Sequence, residues 1–315
     1  MMRIDLVVPC FNEEDNVDEF VKVCSSVFDE SEFSYRLIMV DDGSNDATFS
    51  HLTDLAHKNP CVEVIQFSRN FGKEAAMIAG LEASSGEYSA IIDADLQQRP
   101  EDALAMLRIL VQSEGEYDCV AAYQEKRKES WLITKMKGMF YSIFAKAARS
   151  QAIPHASDFR VFTATVRDAI ISLPESYRFS KGIFAWVGFR VKPYAYVPSD
   201  RLQGESKWSL SSLIRYAFEG ILSFTTLPLR FVTYLGAVTS IGALLYAFIT
   251  VLQILVFGKD VPGYASTLVV VLLLGGAQLL SIGILGEYLA RVYMEGKQRP
   301  LYIVRSRVCS EVSDE

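Results

Sequence analysis

A chain of 315 residues and 35.2 kDa has room for one large domain or two ordinary ones. Its 31 basic and 38 acidic residues leave a net charge of −7, which excludes a general nucleic-acid binder because nothing in the total would neutralise a phosphate backbone. The mean hydropathy of +0.18, with the apolar excess gathered in the last third, excludes a simple soluble globule.

The segment after Met1 runs straight into alternating apolar residues with no hydrophobic signal region, so later segments are expected to serve as the targeting signal. Strands are predicted at Ile4–Val8, Leu37–Val40, Val62–Phe67, Ser89–Ile92 and Cys119–Tyr123. Between them lie predicted helices at Glu14–Phe28, Thr48–His57, Lys73–Ala83 and Glu101–Gln112. The second is opened by the capping-prone Ser44-Asn45-Asp46, and the fourth follows Pro100. Strands and helices alternating at this spacing imply βαβ units and a mainly parallel sheet, with ligands beyond the carboxyl ends of the strands.

From Lys126 to Arg149 seven basic residues face one acid, Glu129, and are interleaved with Trp131, Ile133, Met136, Phe140 and Phe144. This is the pattern of a basic amphipathic helix lying on an anionic bilayer; a second such segment, Trp208 to Phe224, follows. Neither Phe231 to Phe257 nor Val261 to Gly286 contains a charged residue. Both exceed the roughly 20 residues that a helix needs to cross a hydrocarbon core of about 30 Å, so two transmembrane helices are expected. Arg215 and Arg230 precede them and Arg291, Lys297, Arg299, Arg305 and Arg307 follow, which places the N-terminal region and the tail in the cytoplasm. The expected organisation is therefore a nucleotide-binding half over 1–125, an acceptor half with interfacial helices over 126–228, two spans over 229–290, and a basic tail over 291–315. Gly275, Gly276, Gly283 and Gly286 are expected to let the spans pack closely and to favour a homo-oligomer.

Four predicted strands end in chemistry-bearing residues: Pro9-Cys10-Phe11-Asn12-Glu13, Asp41-Asp42-Gly43-Ser44, Ser68 to Lys73, and Asp93-Ala94-Asp95-Leu96-Gln97. Asp93 and Asp95, directly after a buried apolar run, suit a hard divalent cation that keeps open positions for a diphosphate, with Gln97 as a further oxygen ligand. Arg69 and Lys73 read equally well as ordinary solvated cations. Five widely spaced cysteines read as free thiols, and His51, His57 and His155 form no metal-ligand cluster.

These motifs, together with Ser157-Asp158-Phe159-Arg160, resemble a family 2 inverting glycosyltransferase of the GT-A fold. Ser180-Lys181-Gly182, Arg201 to Lys207, Glu219-Gly220-Ile221 and Gly286-Glu287-Tyr288, with the two C-terminal spans, are similar to the polyprenyl-phosphate glycosyltransferases. Within these the likeness is nearest to the bacterial bactoprenol glucosyltransferases and more distant to dolichyl-phosphate mannose synthase. The resemblance implies that Pro9, Asn12, Glu13, Asp41, Asp42 and Asp93 bind the nucleotide-sugar donor, and that Asp93, Asp95 and Gln97 hold Mg²⁺ or Mn²⁺ with the diphosphate. Asp158 falls at the position of the candidate base, so Asp158 and Asp95 are the implied catalytic pair. Arg127, Arg201 and Lys207 fall where relatives meet acceptor phosphate or diphosphate. The implied reaction moves a hexose, expected to be glucose from UDP-glucose, to polyprenyl (undecaprenyl) phosphate at the cytoplasmic face of a bacterial inner membrane. N-acetylglucosamine or mannose would be the alternative sugar. A processive synthase would need more spans and a Gln-x-x-Arg-Trp motif that is absent; a non-catalytic partner of a lipid flippase would not need Asp93, Asp95 and Asp158.

Overall fold

The computed structural model describes residues 2–124, 156–175, 178–198, 227–257 and 263–309. Both basic amphipathic segments, with Arg127, Arg201 and Lys207, lie outside them. Two compact units divide the chain: Met1–Gly220 together with Pro300–Glu315, and Ile221–Arg299.

The first unit is built on an 8-stranded sheet in the order β7-β5-β6-β4-β1-β2-β3-β8. Its elements are β1 (Arg3–Cys10), α1 (Val17–Asp29), β2 (Ser34–Asp41), α2 (Thr48–Lys58), β3 (Val62–Phe67), α3 (Lys73–Ala83), β4 (Tyr88–Ile91), α4 (Pro100–Gln112) and β5 (Cys119–Gln124). There follow β6 (Ala156–Thr163), α5 (Ala164–Ile171), α6 (Ser180–Trp186), β7 (Val191–Tyr196) and, from the far end of the chain, β8 (Val304–Cys309). β1 pairs in parallel with both β2 and β4, so the chain reverses its direction of progress across the sheet at β1. Such a switch point opens a crevice beyond the carboxyl ends of the two strands involved. β6 and β8 run against the other strands, and the sheet is mainly parallel as expected.

Alternate residues of β2 enter opposite layers: Leu37 and Met39 pack with Phe20, Cys24, Leu52 and Leu107, whereas Ile38 and Val40 pack with Ala75, Ala76 and Ala79 of α3. Helix α3 lies very close to the sheet because it carries Gly80 there. A Cβ at that position would stand 2.2 Å from Val7 Cγ1. This contact fixes where the first turn of α3 emerges.

The second unit contains α7 (Leu227–Phe257) and α8 (Tyr264–Gly296). Pro228–Gln253 and Val269–Gly296 are long and apolar enough to cross a membrane. Their large side chains face outward without protein cover, with Leu244 at 71%, Leu255 at 77% and Leu279 at 73% exposed. Thr250 and Ser281 turn their hydroxyls back onto the carbonyls of Tyr246 and Ala277, which satisfies a polar group that lipid could not. Helix α8 continues past the uncharged run through Glu287 and Arg291 to Gly296. Among the described residues, a Cβ at Gly275, Gly276, Gly283 or Gly286 would meet nothing within 4 Å, so no close approach of α7 to α8 is seen at these four glycines.

The segment expected only as a basic tail supplies an edge strand. β8 pairs antiparallel with β3, Tyr302 stacks on the buried Phe67 ring at 4.8 Å, and Ser68 N donates to Ile303 O. Tyr302→Ala should therefore destabilise the first unit by about 2 kcal/mol, read as a lowered melting temperature of the detergent-solubilised protein. An unchanged melting curve would mean that the tail adds nothing to the sheet.

Candidate active site

The carboxyl ends of β1, β2 and β4 and the entry of β6 meet at one rim. Because β6 is antiparallel to β4, with Ile91 opposite Arg160, its first residues arrive beside the last residues of β4. That is how Asp158 comes to Asp93 across 65 positions of sequence.

Lys73 joins them. Its Nζ lies 2.5 Å from Asp93 Oδ1 and 3.8 Å from Asp158 Oδ2, so this residue, though exposed, is ion-paired to both carboxylates. Burial lowers the ammonium's pKa, but Asp93 and Asp158 outweigh it and the net shift is upward. Burial would push the Asp158 carboxyl up, yet the positive charges of Lys181, Lys73 and Arg160 hold it below the ordinary value. Asp158 is thus a carboxylate with counter-ions already in place. Its neighbour Arg160 does not pin it directly: Arg160 Nε donates to Ser157 O and the guanidinium sits 4.4 Å above the Phe184 ring.

Asp93 is gripped from the other side by Gln98, whose Nε2 donates to Asp93 Oδ2 at 3.0 Å while its Oε1 accepts from Asp93 N at 2.9 Å. Leu96, at φ 55°, turns the chain so that this buried amide points back at the strand end. Gln97, the sequence-predicted ligand, donates its backbone N–H to Asp95 Oδ1 at 3.1 Å. Asp93, Asp95 and Gln97 therefore share one tight turn, and Gln98 is the amide that sequence reasoning missed.

The adjacent carboxylates on β2 differ. Both oxygens of Asp42 accept backbone N–H groups, from Phe71 at 2.6 Å and Gly72 at 2.9 Å, so Asp42 ties the β3–α3 loop to the rim. Burial raises its pKa despite those bonds. Asp41 is fully buried; Oδ1 accepts from Ser44 N, and Oδ2 has no hydrogen-bond partner. A buried acceptor left open at a crevice is what a ligand N–H or O–H would fill. Pro9 stands opposite Val40 in the register. Asn12, at φ 54°, exchanges bonds with the β2–α2 turn, its N donating to Ser44 Oγ and its Oδ1 accepting from Asn45 N. Glu13 N donates to Thr48 Oγ1, and Glu13 Oε2 accepts from Asn16. Arg69 keeps its solvated reading: it is exposed, stacked 3.9 Å over Phe71 and bonded to Asn70 O.

Two further residues belong to the rim. Glu74 is held against Ser180 at the start of α6, accepting from its backbone N and its hydroxyl, and burial pushes the Glu74 carboxyl up. Lys181 follows on the first turn of that helix. Three hard oxygen-bearing side chains in the Asp93–Gln97 turn, with no cluster of three His, Cys, Asp or Glu among the described residues, fit a cation that takes few protein ligands and completes its shell with water and phosphate oxygens.

Gly43 sets how closely the β2 and β3 loops approach. At φ +66° a Cβ there would stand 2.4 Å from Arg69 C and 2.7 Å from Asn70 N. Gly43→Ala should destabilise the protein by about 1–3 kcal/mol, and Gly43→Asn should not rescue it, because the clash is with backbone. Recovery of the wild-type melting temperature by Asn, which tolerates the left-handed region, would show that only the dihedral matters.

Against known proteins, residues 5–171 match the model of Glycosyl transferase family 2, and residues 227–292 match that of the GtrB C-terminal hairpin. A Synechocystis glycosyltransferase, sll0501, is 41% identical over 96% of this chain and 95% of its own. A bactoprenol glucosyl transferase of Shigella phage SfV is 39% identical over 97% of this chain and 99% of its own. Among solved structures, a glucosyl-3-phosphoglycerate synthase of Mycobacterium tuberculosis superposes with a TM-score of 0.51 at 18% identity, covering 71% of this chain and 78% of that one. This likeness shows the GT-A fold alone. With a family match across more than half of its length and full-length relatives near 40% identity, the chain belongs to glycosyltransferase family 2 and carries the GtrB-type C-terminal hairpin.

Proposed function

We propose that this enzyme transfers glucose, with inversion, from UDP-glucose to polyprenyl phosphate at the cytoplasmic face of a bacterial plasma membrane. The observation that carries the reading is the rim itself: the open buried oxygen of Asp41, the Asp93–Asp95 turn and the Lys73-bridged Asp158 meet at one crevice, in a chain whose second unit has two membrane-length helices. Full-length relatives named bactoprenol glucosyl transferase support the acceptor and the sugar.

In this reading Asp41 Oδ2 accepts a hydrogen bond from the nucleoside, with Pro9, Asn12 and Glu13 shaping the pocket wall and Asp42 holding the loop beside it. Asp93, Asp95 and Gln97 hold Mg²⁺ or Mn²⁺, which when bound supplies positive charge for the departing diphosphate. Gln98 and Lys73 keep Asp93 aimed. An oxygen of the acceptor phosphate attacks the anomeric carbon while the bond from that carbon to the diphosphate breaks. A phosphate monoester has a second pKa of roughly 6, so the nucleophile is largely ionised at neutral pH and needs little help to lose a proton. Asp158, held anionic between cations, orients those cations and the acceptor. Arg127, Arg201 and Lys207, outside the described residues, are further cations for the acceptor phosphate or the diphosphate.

Incubating membranes with labelled UDP-glucose, UDP-N-acetylglucosamine or GDP-mannose and undecaprenyl phosphate tests the reaction; a glucosylated lipid is expected. A product carrying another sugar would move the donor assignment, and no lipid product from any donor would overturn the reading. Asp95→Asn keeps volume and removes one charge, so transfer should fall by about 100-fold or more and metal-dependent donor binding should weaken while the melting temperature holds. Wild-type turnover in excess chelator would overturn the metal assignment.

A further inference from the structure

A phosphate carrying nearly two negative charges must reach a rim built from Asp41, Asp42, Asp93, Asp95 and Asp158, and fixed cations beyond the metal that serves the donor would offset that repulsion. Four cationic side chains of the described residues stand there or close by, and three are committed. Arg69 lies on Phe71 and is bonded to Asn70 O. Arg160 is buried, bonded to Ser157 O and stacked on Phe184. Lys73 is shared by Asp93 and Asp158. The fourth, Lys181, is half-buried and joins none of the ion pairs found among the described residues.

Lys181 is also held in place. Ser180, the residue before it, donates its N–H to both oxygens of Glu74 at 3.1 Å, and Glu74 follows Lys73 in the sequence. Further along the helix, Phe184 packs edge-on against Phe162 at 5.2 Å and carries the Arg160 guanidinium. Helix α6 is therefore clamped to α3 at its start and to β6 along its length. Lys181 therefore follows the residue held on Glu74, next in sequence to the Lys73 that pairs with Asp158, and its positive charge favours the ionised form of that carboxylate.

We propose that Lys181 binds the acceptor phosphate, its ammonium pairing with a phosphate oxygen of a prenyl phosphate beside Asp158 while Lys73 stays tied to Asp93. The assignment rests on the transfer reaction proposed above and adds to it a residue on a rigid element. Asp158 then has a definite part: placed between Lys73 and Lys181, it separates a donor-side cation from an acceptor-side cation.

The test uses the full-length protein in detergent with UDP-glucose and a soluble short-chain prenyl phosphate. Lys181→Gln should raise the apparent KM for the prenyl phosphate by about tenfold or more and leave UDP affinity by calorimetry within about twofold. Lys181→Arg, which keeps the charge, should recover most of the loss. Inorganic phosphate should compete with the acceptor in the wild type and more weakly in Lys181→Gln. In the wild-type protein, prenyl phosphate should slow acetylation of Lys181 read by mass spectrometry, a measurement that does not depend on any variant folding. An unchanged KM, an absence of protection, or a fall in UDP affinity matching the rise in KM would overturn the assignment. A wild type that transfers to no prenyl phosphate would instead overturn the reaction on which it rests.

Discussion

One ammonium group shared by two carboxylates holds this site together. The sheet topology brings Asp93 and Asp158 to the same rim, since β6 enters antiparallel where β4 ends. Two unit charges about 4 Å apart near a protein surface repel by about 4 kcal/mol, so such a rim needs a cation of its own. Lys73 supplies it, and its position depends on the close approach of Gly80 to Val7, which sets α3 against β1. The next residue, Glu74, then reaches Ser180 and fixes α6. A single turn of helix thus aligns the end of β4, the entry of β6 and the start of α6. It is a polar network with strict geometry, of the sort that specifies position more than it adds stability.

The same pair of strands, β1 and β2, carries buried carboxylates whose partners differ from one end of the sheet to the other. At their amino end the buried Asp5 accepts from Ser84 Oγ, Ser85 N, Gly86 N and Arg36 Nη2, and Arg3 Nε stands 3.2 Å from its other oxygen. Those bonds and Arg36 overcome the upward push of burial, so the Asp5 carboxyl sits below its ordinary value. Asp5 closes the bottom of the sheet; its Oδ1 accepts no hydrogen bond either, but it is ion-paired with Arg3 and lies at the end of the strands away from the rim. At the carboxyl end Asp42 is likewise committed to two backbone N–H groups, but its neighbour Asp41 keeps one oxygen open. Two adjacent aspartates of identical chemistry are thereby divided, one to position a loop and one facing the crevice.

Much of this was legible in the sequence. Hydrophobic period, with capping and proline signals, found every element from β1 to β5, with β3 and α3 at their observed limits, because each buries a continuous stripe in the sheet core. The strand-end motifs located the rim for the same reason: strands that end at the core surface must hand over to polar loops. What escaped were residues whose roles depend on three-dimensional turns. Gln97 and Gln98 are indistinguishable by composition, and the left-handed turn at Leu96 decides which one faces Asp93. Lys73 looked like any first-turn cation until β6 was placed beside β4. β6 carries Asp158 and Arg160 within a strand, which blurs its alternation, whereas β8 does alternate in burial but was hidden by Arg305 and Arg307 on its exposed face. Charged residues on a solvated edge strand are ordinary protection against edge pairing, and that signal could have been read.

The return of the chain to the sheet also constrains the membrane topology without any appeal to charge. Val304–Cys309 pair with β3, and Pro300–Glu315 belong to the same compact unit as Met1–Gly220. Both flanks of the α7–α8 pair therefore lie on one side of any bilayer that these helices cross, which requires an even number of crossings. Two helices of membrane length, α7 and α8, meet that requirement as a hairpin. Of the cations that follow α8, Arg305 and Arg307 lie on β8 itself, so part of the positive charge expected to bias a hairpin's orientation is carried by the strand that closes the sheet. If the acceptor is the lipid phosphate proposed above, the rim and the lipid headgroup must share one side. A strand returned to the sheet after the hairpin would enforce that sidedness through the connectivity of the chain.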